Sequence, residues 1–331
     1  MIDWLPIEAK MRLYQFFILT TSLTWSMAVG QVGSLSELEN TVKSLQSSGE
    51  WSMEKGAKLA AVNGEILKIV TADTLKSSED FMTAARLVQY DRGGLSECRL
   101  RYELTLTAMA LGNDEAARAI ASSWDQFLMS TGRRQHFGTQ KALEGLQADK
   151  YKVQAPVTCV QTVLLNPEEA RKLVKNLEGN DELRRLVEED QKVRQGDWSK
   201  LTQEQLIAIS REDDARRARL RSMLADIKIM TAQDYQDAAL IMQHGCWWDD
   251  FALAHELALC ATLLDPAIGR QLAALSYDRM LEYGGYLQRV GTQYHGRTLA
   301  EVDSVGFNDT MRKALGRKPL GEVEKVLGSG P

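Results

Sequence analysis

The sequence predicts an all-α protein made of two tandem, related helical-hairpin bundles. Three observations carry that reading. Apolar residues recur at helical spacing, residues 234–293 reappear in altered form at 80–140, and no alternating strand-like run of useful length occurs in either copy. The copies align through pairs. Ala84-Ala85 matches Ala238-Ala239 at an offset of 154. At 153, Tyr102-Glu103-Leu104 matches His255-Glu256-Leu257 and Trp124-Asp125 matches Tyr277-Asp278. Gln135 matches Gln288 and Gly138-Thr139-Gln140 matches Gly291-Thr292-Gln293 at the same offset. So long a period suits paired domains better than a solenoid.

Taken in order, the chain opens on an apolar run, Leu13 to Val29, preceded by Lys10 and Arg12 and closed by small residues at Ala28-Val29-Gly30. Residues 1–30 therefore read as an export signal with Met11 as its start, the other reading being a buried first helix. The run falls short of a lasting membrane span. Ser34–Gln46 and Trp51–Val70 follow as amphipathic helices, and Ser78 is the expected N-cap of the first repeat helix.

Copy one, within 34–150, gives helices at Phe81–Gln89, Leu100–Leu111 and Glu115–Met129, with a stop near Gly132. The connector 151–210 begins with an expected extended piece at Val157–Leu165. Asn166-Pro167-Glu168-Glu169 then supplies a cap, an N1 proline and first-turn acids. Asp181–Gln195 reads as a charged helix, Thr202 opens another, and Glu212–Ile227 forms a third. Copy two, within 211–331, places Tyr235, Ala238, Ala239 and Met242 on one stripe of Asp234–Gln243. Asp249-Asp250 favour the N-terminus of the almost wholly apolar Phe251–Leu264. Ala267–Tyr283 stops at Gly284-Gly285, and short helices at Asp309–Leu315 and Leu320–Leu327 close the chain.

The chain has 331 residues, of which 44% are hydrophobic and 26% charged, values that argue against long disorder and allow two cores. A net charge of −5, without a basic cluster, argues against nucleic acid as a partner. Cys98, Cys159, Cys246 and Cys260 show no CxxC spacing. Cys260 reads as a small core residue, and a Cys98–Cys246 bridge is conceivable in an oxidising compartment.

With REDDARRARLRSML, AALIMQHG, LAHELA, ALSYDRML and QRVGTQ on the page, residues 211–327 resemble the bacterial family catalogued as domain of unknown function 6624. Val290 stands where that family carries an aromatic residue. Copy one keeps FLMSTGRRQHFGTQ but has Gln89-Tyr90-Asp91 for QHG and Arg101-Tyr102-Glu103 for AHE, and so lacks both histidines of copy two. The resemblance implies no activity, cofactor or ligand.

His244 and His255 are the candidates for chemistry. In an antiparallel hairpin both could face one cleft with Glu256 and Asp249 or Asp250, as a metal site or an acid–base pair. The bland reading gives His244 a capping role and His255 a hydrogen bond in the core. Glu103, Asp125, Glu256 and Asp278 are acids common to both copies, and buried carboxylates need partners. Arg279, Gln140, Gln288 and Gln293 are the expected donors of a structural network pinning the third helix and GTQ loop to the second helix. Trp247, Trp248 and Asp249 could line a ligand cleft, or pack with one indole half exposed. The sequence thus predicts an exported binding protein with a protein or small-molecule partner. The alternative is a metal-dependent or acid–base hydrolase centred on copy two.

Overall fold

The computed structural model describes residues 34–49, 52–88, 94–141, 149–154, 157–175 and 177–328. The leader, Trp51, Gln89-Tyr90-Asp91 and Pro156 lie outside the described residues. Helix dominates. The first part of the described chain forms α1 Leu35–Ser47, α2 Met53–Thr71, α3 Ser78–Leu87, α4 Leu95–Ala110 and α5 Asp114–Ser130. The connector holds α6 Thr158–Leu165, α7 Pro167–Val174 and α8 Asp181–Arg194. Beyond it come α9 Gln203–Ala225, α10 Ala232–Met242, α11 Trp248–Leu264, α12 Pro266–Tyr283, α13 Asp309–Ala314 and α14 Leu320–Gly328. Strands β1 Tyr294–His295 and β2 Thr298–Leu299 form a two-residue antiparallel pair. Among the described residues no helix is long and apolar enough to cross a membrane.

Local chemistry explains most boundaries, and three expectations need correction. Ser77, not Ser78, caps α3, in a capping box with Asp80. Thr202 makes a capping box with Gln205, but the helix it opens runs unbroken to Ala225, because no Gly or Pro interrupts 203–225. The segment expected to be extended is helical, since Cys159, Val160, Val163 and Leu164 bury one stripe of α6. Asn166 and Pro167 then start α7 as expected.

Residues Leu35–Pro331 form one compact unit with one continuous hydrophobic core, to which helices from both ends of the described chain contribute side chains. The central helices α4 and α11 pack on each other as well as on their own neighbours. Helix α11 is buried nearly all round. Its Gly-lined seam with α12 is tight, since a Cβ at Gly269 would fall 2.1 Å from the Thr262 backbone nitrogen. That packing carries the second-helix acids of both copies into the shared interior.

Candidate functional site

Glu103 and Glu256 are each held by side chains distant in the sequence. Glu103 on α4 accepts from Tyr277 Oη at 3.0 Å and from Arg289 Nε and Nη2 at 2.8 and 2.9 Å. Glu256 on α11 accepts from Trp124 Nε1 at 2.8 Å and meets His136 Nδ1 at 2.5 Å. Trp124 and Tyr277 are 153 residues apart, as are His136 and Arg289. The expected donor Arg279 serves neither acid. It donates to Gln243 O at 2.8 Å and to Gln293 Oε1 at 3.1 Å.

The third-helix acids fix the loops that deliver those partners. Asp125 accepts the backbone N–H groups of His136, Phe137 and Thr139 and the Thr139 hydroxyl. Asp278 accepts those of Arg289, Val290, Gly291 and Thr292, with the Thr292 hydroxyl. Gly138 and Gly291 take positive φ, +71° and +89°, as such a tight loop requires. Gln135 and Gln288 brace the loops through Gln140 and Gln293 and through Tyr151 O and Ala300 O. Gln140 and Gln293 are expected donors at the loops that close the third helices, where exposed helix ends are one target open to them. Instead they reach the mid-helix carbonyls of Ser122 and Leu275.

His244 and His255 do not share a cleft. His255 is wholly buried, with Nδ1 2.9 Å from Ala273 O and Nε2 bonded to the Tyr102 hydroxyl. Burial pushes its pKa down to about 3, so it is neutral. Its ring sits among Tyr102, Trp124 and Tyr277. His244 instead points its Nδ1 to within 2.9 Å of Asp190 Oδ2 on α8. Among the described residues no three His, Cys, Asp or Glu side chains group to hold a metal ion. None of the four cysteines forms a disulfide, so the conceivable Cys98–Cys246 bridge is not made; Cys98, Cys159 and Cys260 are buried and Cys246 is exposed.

A cavity of about 190 Å³ lies where the copies and connector meet. His136, Glu256, Asp249, Arg221, Gln154 and Gln161 supply its polar groups, and Phe137, Val157, Val160 and Leu253 its apolar wall. Of the loop candidates only Asp249 lines it. Trp248 is buried beneath Arg133, whose guanidinium lies 3.6 Å from the indole centroid, and Trp247 is 70% exposed. His136 is the residue sequence reasoning missed. Burial presses its pKa down, but Glu256, by charge and hydrogen bond, outweighs that and holds it above its ordinary value. Its Nε2 is buried and has no protein partner. The signal was present in RRQHFGTQ, one residue after Gln135, but a search for histidines aligned with His244 and His255 passes over it.

Fold and site together define a mostly helical protein whose core is crossed by buried polar bridges, one of them beside a small mixed cavity. Comparison with profiles of known protein families, with curated proteins and with solved structures finds no match to this chain.

Proposed function

We propose that this chain is an exported helical binding module taking a small polar ligand in the cavity at His136 and Glu256. The observation that carries the proposal is the pairing of these residues. Glu256 occupies Nδ1 of the imidazole, which leaves the buried Nε2 as a group for a ligand oxygen, beside an apolar wall. A few polar groups converging on an apolar concavity are the usual make-up of a small-molecule site, and about 190 Å³ suits a ligand below drug size. Ligand-observed NMR with a panel of small hydroxy and carboxylic acids tests it. Hits lost in His136→Ala support the reading, and hits indifferent to that change, or none, overturn it.

A second reading, acid–base hydrolysis, draws on the same pair. A carboxylate on Nδ1 fixes the tautomer and leaves Nε2 to take a proton from water or a hydroxyl. It moves the expected catalytic pair from His255–Glu256 to His136–Glu256. Turnover of a p-nitrophenyl ester abolished equally by His136→Gln and Glu256→Gln would favour it over simple binding.

The duplication into tandem hairpin bundles belongs to the same proposal. It is supported by matching bonds of Trp124 and Tyr277, His136 and Arg289, and Asp125 and Asp278, all at one offset. The likeness of residues 211–327 to the family of domain of unknown function 6624 stands within it too. Export rests on the leader sequence alone. A mature chain beginning at Gln31 supports it, and one that keeps Leu13–Val29 overturns it.

A further inference from the structure

The geometry points to a second site, for a small hydroxylated oxyanion, where α8, α9 and the end of α10 meet Arg279. Gln243 is 1% exposed, yet neither atom of its carboxamide has a partner. Arg194 Nη1 and Arg216 Nε are buried and lack a hydrogen-bond partner as well. An unmet buried donor is costly, and native interiors contain few of them. Such orphans in one cluster therefore suit a ligand better than a packing flaw.

The residues are tied together by contacts. Asp190 Oδ1 lies 3.3 Å from Arg194 Nη2 and 3.7 Å from Arg216 Nε, and its Oδ2 lies 2.9 Å from His244. Asp213 pairs with both arginines. Arg279 donates to the carbonyl of Gln243.

Charge sets the ligand class. Arg194 and Arg216 are balanced by Asp190 and Asp213, whereas Arg279 makes no ion pair among the described residues. Burial lowers the Arg279 pKa, Glu282 opposes that fall and the nearby Arg194 adds to it. Glu282 is the other acid facing Arg279 and stands 4.0 Å from His295 on its outer side. A partly buried cation without a contacting counter-ion favours an anion. The free carboxamide of Gln243 offers one donor group and one acceptor, so the ligand should carry anionic oxygens and one hydroxyl. Phosphate and a small hydroxy acid share that chemistry. The side chains of Arg194 and His244 are 19% and 20% exposed, so the cluster reaches solvent there. Copy one lacks the site, because Gln126 stands at the position of Arg279 and bonds Gln140 as Arg279 bonds Gln293.

Calorimetric titration of the full chain with inorganic phosphate, and separately with glycolate, tests the inference at neutral pH and low salt. Saturable binding of one probe is expected, at least tenfold weaker in Arg279→Gln and in Gln243→Leu and partly kept in Arg279→Lys. The stronger probe identifies the source. Binding of neither probe overturns the proposal. So does binding unaffected by Arg279→Gln, or binding abolished by His136→Gln, which would assign the anion to the other cavity. In the unaltered protein the side-chain amide resonance of Gln243 should shift to saturation with the ligand, and its failure to move overturns the site independently of any variant.

Discussion

Arg289 closes on Glu103 through two nitrogens, at 2.8 and 2.9 Å, from 186 residues further along the chain. Both side chains are essentially shut off from water. Arg289 also donates to the carbonyls of Asp303 and Val305, so its loss strands acceptors besides the carboxylate. Removing one member of a buried pair destabilises by about 3–5 kcal/mol, whereas an apolar replacement of both is often near neutral. Urea unfolding should show that loss for Arg289→Met, and a smaller total for Glu103→Leu with Arg289→Met than the two single changes add up to. A single-variant loss below about 1 kcal/mol would mean that the bridge does not hold the halves together.

His255 sets the acid side of the stability curve. Its pKa is about 3 when folded and near the ordinary 6.5 when unfolded, because burial disfavours the imidazolium. Below pH 6.5 the unfolded chain therefore binds the extra proton, so this contribution is complete above that pH and declines as pH falls. Between pH 6.5 and 4.5 the protein should lose roughly 2–3 kcal/mol relative to His255→Phe, compared at each pH. Parallel curves for the two proteins would contradict a neutral, enclosed ring.

The helices were largely legible because their signals are local. Pro167 after Asn166, Thr202 ahead of Gln205 and the stripe through Tyr235, Ala238, Ala239 and Met242 each act within a turn or two. Where expectation and structure part, the deciding contacts are distant. Nothing near Glu103 indicates that its cation is Arg289 rather than Arg279, and nothing near Glu256 names Trp124 or His136. The matching positions mark the four acids but say nothing of their partners. Those partners depend on α4 lying against α11, a packing choice that periodicity leaves open. His244 and His255 follow the same logic, since hairpin adjacency of backbone positions does not fix which neighbour each ring faces.

Gly269 is required by the approach of α12 to α11. A methyl group there would lie 2.1 Å from the Thr262 nitrogen and 2.6 Å from the Ala261 carbonyl carbon, both backbone atoms that cannot swing aside. Gly269→Ala should destabilise by about 1–3 kcal/mol through forced overpacking. Gly64, inside α2, has nothing within 4 Å of the place a Cβ would take, so Gly64→Ala should stabilise by about 0.5–1 kcal/mol. Thermal unfolding checks both, and equal effects at the two positions would discredit the packing argument.

His136 gives the most direct reading of the candidate cavity. Burial alone would lower its pKa, and the charges facing it, Glu256 first and then Asp125 and Asp249, reverse that. Its folded value therefore lies above 6.5, and its share of stability is present below about pH 6.5 and lost as pH rises through the folded value. Glu256→Gln removes the largest opposing charge and the acceptor for Nδ1, while Trp124 keeps an oxygen to donate to. Burial should then prevail and carry the His136 titration below 6.5, a change read from its imidazole proton shifts by NMR. Asp125→Asn should lower it less, because Asp125 acts on the ring through charge and bonds only the backbone of His136. A midpoint unmoved by Glu256→Gln would mean that the 2.5 Å contact is not kept in solution, and the cavity would lose the oriented imidazole on which its binding role rests.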